Sequence, residues 1–356
     1  SARALLKVRA GPAVILDDGI EGAATPQELA TAWATLPAVV NALIAEDTDA
    51  RIVCRIVSEE IRSMTRRAAV MAEAQMAADG RGAPPCRYCV LVLGSGGRGE
   101  SMLVPDQDNA MVFAEGAPGS TNDQWFAAMA AIMSRILDDA GIPTCKGGVM
   151  AKNEAWRGSL ADWQARIEGW IVKSTPQDIL NVDIFFDAIP VQGDIALGQA
   201  LFTSAYAMGS ASPDFAKLLG ESLGSIPNPV NMFGGIRTED DRLDLKKTIL
   251  FPVAALARTL SIRHGKAVRS TPERLDALAR MEIGPEQDIA TLSRAHGLAL
   301  EMVLTQQAHD IESGLKPGNF VDVAALSRAR KAELRKALSD VQIIPSLVRD
   351  MMFARA

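Results

Sequence analysis

Asp106 and Asp108, two carboxylates two residues apart, follow closely on a glycine-rich stretch. The segment reads LVLGSGGRGESMLVPDQDN over residues 91–109. An apolar run suited to a buried strand ends at Gly94-Ser95, and Asp106-Gln107-Asp108 leads into a second apolar run, NAMVF. Carboxylates at i and i+2 of a strand point to the same face. A pair so placed can share one or two Mg2+ ions, which favour carboxylate and phosphate oxygens. A glycine turn lets backbone N–H groups approach a triphosphate, and Ser95 and Arg98 add donors. Strand, glycine turn, D-x-D and strand, in that order, are the parts of a phosphoryl- or nucleotidyl-transfer site.

Two other chemistries fit the glycines less well. A P-loop needs G-x-x-x-x-G-K-[ST]; Gly94 and Gly99 have the spacing, but Glu100 stands where the lysine should be. A carboxylate there repels the phosphates that a lysine neutralises. GSGGRG also satisfies G-x-G-x-x-G, but a dinucleotide turn needs a helix starting within the motif and an acidic residue about twenty residues on. Only ESMLVP separates these glycines from Asp106, and Asp106 and Asp108 precede the next strand instead of ending it.

The elements that must position these residues are legible in outline. Thr25-Pro26-Gln27-Glu28 is a helix start, with Thr as N-cap, Pro at the first position and Glu at the third. That helix is bent or broken at Pro37. A longer one follows over ARIVCRIVSEEIRSMTRRAAVMAEAQMAA, with apolar residues at three and four spacing. ADGRGAPP ends it and marks a domain edge. YCVLVLG and NAMVFAEG read as strands, residues 121–141 and SLADWQARIEGWIVK as helices, and ILNVDIFFDAIPVQGD as a third strand closed by a turn. Beyond about residue 196 the pattern is helical, with starts at Ser212-Pro213-Asp214 and Thr271-Pro272-Glu273. The expected division is an N-terminal helical segment over 1–85, an α/β or α+β core over 86–195 and a C-terminal helical bundle over 196–356.

Bulk properties narrow the function. The 356 residues carry a formal charge of −6, which argues against a sequence-independent nucleic-acid binder with a basic face. No signal peptide is recognised and no apolar run is read as approaching the roughly 18 residues of a membrane span, so the expected setting is the cytoplasm, with its four cysteines reduced. Cys86 and Cys89 form a C-x-x-C without a second ligand pair nearby, which favours Cys89 in the buried strand and Cys86 just before it. His264, His296 and His309 have no motif partners. Trp156, Trp163 and Trp170 are spaced by seven, which favours packing for Trp163 and Trp170.

GSGGRGE followed by PDQDNAMVF resembles the nucleotidyltransferase signature of the DNA polymerase β superfamily. More narrowly it is similar to the nucleotidyltransferase domain of the bacterial PII uridylyltransferases, which carry G-[GS]-x-G-R-x-E with a D-x-D six residues after the glutamate. Gly94, Ser95, Gly97, Arg98 and Glu100 match, and Asp106 falls at that spacing. CKGGVMAKNEAWRGSL, NVDIFFDAIPVQGD and LDLKKTILFPVAALAR are similar to segments of a bacterial family of signal-transduction nucleotidyltransferases, often found behind CBS or cyclic-nucleotide-binding modules. The likeness covers nearly the whole chain, most specifically residues 88–260.

The resemblance implies an α+β fold: a polymerase-β-like core with a small mixed sheet, flanked by N-terminal helices and a C-terminal helical bundle. It implies transfer of a nucleoside monophosphate from an NTP to an acceptor hydroxyl with release of pyrophosphate. Asp106 and Asp108 would hold Mg2+ or Mn2+, joined by a third carboxylate for which Asp187 is the first choice and Asp183 the alternative. Gly94, Ser95, Gly97 and Arg98 would hold the outer phosphates, with Glu100 behind them orienting Arg98, and Lys246 and Lys247 would reach the β- or γ-phosphate. Gly147, Gly148, Lys152 and Arg157 also match the family and flank the expected cleft. The expected acceptor is a protein, a PII-like regulator foremost, with a small alcohol next and nucleic acid last. The alternative from another class is a regulatory module that binds nucleotide without turnover.

Overall fold

The computed structural model describes residues 11–352 apart from 174 and 222. The first ten residues of the expected N-terminal segment lie outside the described residues. The fold is mixed α+β, with helices on both sides of a small sheet in the sequence. Two compact units are present. One comprises Ile52–Trp170 and Ile184–Ala205 with the described residues up to Thr48, and the other Asp49–Arg51, Ile171–Asp183 and the described residues from Tyr206 onward. The helices of the first 78 residues thus belong, for the most part, to the same unit as the sheet.

Four strands make the sheet of the first unit: β1 (Tyr88–Val92), β2 (Asn109–Phe113), β3 (Arg157–Ser159) and β4 (Ile189–Gly193), in the order β3-β2-β1-β4. β1 is antiparallel to both β2 and β4, while β2 and β3 are parallel. Every residue of β1, β2 and β3 is buried, which explains why YCVLV and NAMVF read as continuous apolar runs. The C-x-x-C follows the packing reading: Cys89 is buried in β1, Cys86 precedes it, and both are free thiols.

The expected third strand needs a correction. Pro176–Phe185 is a helix, and only Ile189–Gly193 is strand. A short apolar run is ambiguous between a buried helix and a buried strand, and Pro176 at the first helical position favours the helix. Phe185 then closes an aromatic cluster: its ring stacks on Trp163 with centroids 5.0 Å apart, and Trp156, Trp163 and Trp170 lie 6.2–6.3 Å from one another. Trp163 donates to the Met111 carbonyl of β2 at 2.9 Å, anchoring the cluster on the sheet.

The long helix Ala50–Ala78 has the predicted extent. Its side facing the sheet is more polar than the apolar periodicity suggests. Ser58 accepts from Ser101 N–H, Arg62 donates to the Gly96 and Gly97 carbonyls, Arg66 donates to the Val191 carbonyl, and Glu73 accepts from the Tyr88 hydroxyl. Steps of four and seven keep these residues on one helix face.

Ahead of it, Pro26–Trp33 and Leu36–Ala45 are separate helices, broken just before Pro37. Thr25 accepts from Glu28 N–H at 3.2 Å, and Glu28 reaches back to Ala24 N–H at 2.6 Å. Thr25→Ala is expected to lower stability by about 1 kcal/mol in urea unfolding, the usual cost of a lost N-cap. Pro26–Ala45 also corrects the reading of apolar runs: among the described residues this one stretch is long and apolar enough to cross a membrane. Here it is two helices, with Leu29, Leu36, Val39, Val40 and Leu43 buried.

The second unit is mainly helical, built on Phe251–Arg263, Thr271–Arg280, Glu286–Glu312, Arg328–Asp340 and Ile344–Met352. Ser270 caps the second of these, one residue earlier than Thr271. Arg274 is wholly buried, donating to the Val268 carbonyl and the Tyr206 hydroxyl. The segment LDLKKTILF, expected as helix, opens instead with the short strand β5 (Arg242–Asp244), paired antiparallel with β6 (Phe320–Asp322).

Candidate active site

Antiparallel pairing gathers the chemistry-bearing residues at one end of the sheet. Val92, the last residue of β1, stands opposite Asn109 at the start of β2 and opposite Ile189 at the start of β4. The glycine turn leaving β1, the D-x-D entering β2 and Asp187 entering β4 therefore share that end.

GSGGR, residues Gly94–Arg98, forms one short helical turn, and close approach explains the glycines. Gly94 has φ +54°, and a Cβ there would lie 2.7 Å from Asp108 Oδ2. At Gly96 a Cβ would meet Val92 Cγ1 at 2.7 Å, and at Gly97 it would overlap the Asp187 carbonyl. Gly99, at φ +77°, ends the turn in the left-handed conformation. Arg62 satisfies two carbonyls that the short turn leaves open, through Nε to Gly96 O at 2.9 Å and Nη2 to Gly97 O at 3.0 Å. The resemblance gave no sign of Arg62, because it lies on the long helix 34 residues before Gly96.

Gln107 sets the facing of the D-x-D. Its side chain is buried, donating to the Ser134 and Ile142 carbonyls at 2.9 and 2.8 Å and accepting from Ser134 Oγ at 2.8 Å. With Gln107 anchored inward, alternation turns Asp106 and Asp108 the other way. Asp106 is exposed and Asp108 half-buried. Their carboxylates and the Cys145 thiol all lie within 4.8 Å of one another, a group able to hold a metal ion. A small pocket beside them is lined by Thr65, Ser95, Gly96, Ser101, Asp106 and Asp108. Ser95 Oγ is 3.3 Å from Ser101 Oγ.

Cys145 is the member that sequence reading missed; only its place at the head of CKGG marked it. Burial, then the Asp108 carboxylate, push its thiol up to about 12. A raised pKa keeps the thiol protonated at neutral pH. Iodoacetamide alkylation of Cys145 in the folded, metal-free chain, read by peptide mass spectrometry, is therefore expected to be at least about ten-fold slower than in the unfolded chain. Asp108→Asn removes one of the raising influences and is expected to speed it.

Arg98, the expected phosphate ligand, is held by two carboxylates. Its side chain is only 15% exposed, and the guanidinium lies between two carboxylates, donating through Nε to Glu100 Oε2 at 2.9 Å and through Nη1 to Asp187 Oδ2. Burial alone would lower its pKa, but Asp187 and Glu100 outweigh that and hold it above the usual range. Glu100 thus orients Arg98, while Asp187 is wholly buried and meets Arg98 instead of joining the Asp106–Asp108–Cys145 group.

The other candidates are placed as follows. Asp183 is helical and belongs to the second unit, pairing with Arg258 at 2.6 Å, so its four-residue spacing from Asp187 is not a strand face. Arg157 is buried at the start of β3, paired with Asp123 at 2.7 Å and donating to the Lys152 carbonyl at 2.8 Å. Gly148 turns the 145–153 loop at φ +71°, with Gly147 near the Cys145 sulfur. Lys246 and Lys247 are exposed in the second unit, at the turn leading into Phe251–Arg263.

A small mixed sheet with a glycine turn leaving one strand and a D-x-D entering its antiparallel neighbour defines a nucleotidyltransferase-like domain. Residues 34–177 match the family described as "Putative nucleotidyltransferase DUF294", and residues 213–351 match its companion, described as "Putative nucleotidyltransferase substrate binding domain". Together the matches span about four fifths of the chain, which belongs to this nucleotidyltransferase family. Neither match singles out the PII uridylyltransferases. No curated protein matches the chain.

Proposed function

We propose that the chain moves a nucleoside monophosphate from an NTP to an acceptor hydroxyl and releases pyrophosphate, with Mg2+ held by Asp106 and Asp108. The observation that carries this is the pair of outward carboxylates fixed by buried Gln107 beside the glycine turn. The donor set fits: two carboxylates, one of them exposed, suit Mg2+, for which the Cys145 thiol is a poor ligand. When bound, the ion would offset charge on the phosphate oxygens. Ser95 and the amides of the glycine turn orient the triphosphate. Arg98 acts through its carboxylate partners on the shape of that turn. Asp187 holds Arg98 through Oδ2, and a metal-binding role for it would fall to its other oxygen.

For the acceptor we favour a hydroxyl on a regulatory protein of the PII class, the resemblance being the ground for it. The same resemblance suggests CBS or cyclic-nucleotide-binding modules in a longer chain. The net charge of −6 speaks against nucleic acid as acceptor. The test is pyrophosphate release from each NTP with Mg2+, with and without candidate acceptors. Acceptor-dependent release that stops on chelation supports the reading. Tight NTP binding with no release under any of these conditions would instead make the chain a nucleotide-responsive module.

A further inference from the structure

The transfer reaction employs the carboxylates beside the glycine turn and gives the Cys145 thiol no task, yet the backbone fixes that thiol from both sides. Gln107 N–H donates to the Pro143 carbonyl and Asn109 N–H to the Val149 carbonyl, each at 3.0 Å. The segment 144–148 is thus clipped at both ends to the strand entry that carries Asp106 and Asp108. The side chain of buried Asn109 adds a third tie, accepting from Ala151 N–H at 2.9 Å. Within the segment, Gly148 N–H donates to the Cys145 carbonyl at 3.0 Å. The half-buried thiol and both carboxylates then lie within 4.8 Å of one another, and theirs is the one such group of three among the described residues.

Two oxygen donors and one sulfur donor make a different set from the one Mg2+ needs. Thiolate is a soft ligand that selects Zn2+ over Mg2+, whereas carboxylate takes either ion. Two ligand atoms on one zinc are at most about 4.5 Å apart, the sum of a Zn–S bond of about 2.3 Å and a Zn–O bond of about 2.2 Å. The separations here are near that limit, so small side-chain rotations close the three donors on one ion. Three protein ligands leave the fourth tetrahedral position open, and exposed Asp106 gives the ion a way in. We infer that Asp106, Asp108 and Cys145 form a Zn2+ site, and that Zn2+ seated there shuts out the Mg2+ of the transfer reaction. The thiol gives its proton to solvent as the Zn–S bond forms, and the dication then lies among three negative donors that otherwise repel one another. The inhibition rests on the reaction proposed above; the binding of zinc does not.

Binding of Co2+ and Zn2+ to the full chain, without NTP, tests the site. Co2+ stands in for Zn2+ and shows a sulfur-to-metal charge-transfer band when a thiolate binds it. That band is expected in the wild type and should vanish when Zn2+ is added. It should be absent in Cys145→Ser, which keeps a hydrogen-bond donor but not the soft ligand. Zn2+ affinity should fall at least about ten-fold in Cys145→Ser and in Asp108→Asn, since even an outer partner of a metal ligand is worth that much. Cys86→Ser should leave it unchanged. Zn2+ should raise the melting temperature of the wild type but not of Cys145→Ser, whose metal-free melting temperature should match the wild type. A band that survives Cys145→Ser, or Zn2+ affinity indifferent to Cys145→Ser and Asp108→Asn, overturns the inference. In the transfer assay with Mg2+, Zn2+ should inhibit the wild type at least about ten-fold more strongly than Cys145→Ser. Equal inhibition of the two overturns the exclusion of Mg2+ by sulfur-held zinc. No transfer with Mg2+ under any condition overturns the reaction alone, because the Co2+ and Zn2+ results do not depend on it.

Discussion

Asp106→Asn and Asp108→Asn are each expected to lower nucleotidyl transfer by about a thousand-fold or more, equivalent to about 4 kcal/mol in the barrier. An amide keeps the shape of the side chain but gives up the charge that holds a divalent cation. Stability should move the other way. The two carboxylates and the Cys145 thiol crowd within 4.8 Å, so neutralising either acid relieves repulsion in the metal-free chain. A melting temperature at or above the wild-type value, with activity lost, is the expected pairing, as for groups retained for function at some expense of stability. Mn2+ binding followed by electron paramagnetic resonance, with NTP present, should weaken in the same variants. Full activity in either would remove that aspartate from the site.

Asp187→Ala has the largest expected effect on the fold. It deletes a wholly buried carboxylate that meets a nearly buried guanidinium, leaving Arg98 to Glu100 alone. Breaking one side of a buried pair costs about 3–5 kcal/mol. Denaturant unfolding should show that loss, and Arg98→Met together with Glu100→Gln in the same chain should recover much of it, because no charge of the buried triad then lacks its partner. A metal role for Asp187 predicts in addition that transfer activity stays lost where stability has been recovered. The two outcomes separate positioning from metal binding.

The residues that carry the proposed chemistry were legible in the sequence because their local order is informative. Gly94 and Gly97 are glycines for contacts with Asp108 and Asp187, and that requirement shows as a motif. Asp106 and Asp108 show because strand alternation is local. The ends of β1 and β2 and the helix Ala50–Ala78 were legible for the same reason, each being long or strongly patterned. Residues set by tertiary contact were not. Ile179–Phe185 is apolar enough to pass for strand, and only its packing in the tryptophan cluster and the entry to β4 make it the end of a helix. Arg62 is one of several arginines on the long helix until the carbonyls of Gly96 and Gly97 stand opposite it. Cys145 meets Asp106 and Asp108 only because the chain returns beside Gln107, whose neighbour across a parallel bridge is Thr144. Of the two carboxylates on Arg98, Glu100 stands in the same motif and is legible, whereas Asp187 comes from 89 residues further on.

In the proposed reaction the α-phosphate, with its nucleoside, leaves the NTP for an acceptor. The most direct measurement supplies one reaction with NTP labelled at the α-phosphate and a parallel one with NTP labelled at the γ-phosphate. Mg2+ is present in both, with a PII-class regulator or an amino alcohol as acceptor. α-Label is expected on the acceptor and γ-label in pyrophosphate, with neither in the Asp106→Asn chain. Label from the γ-position on the acceptor would make the chain a phosphotransferase and contradict it.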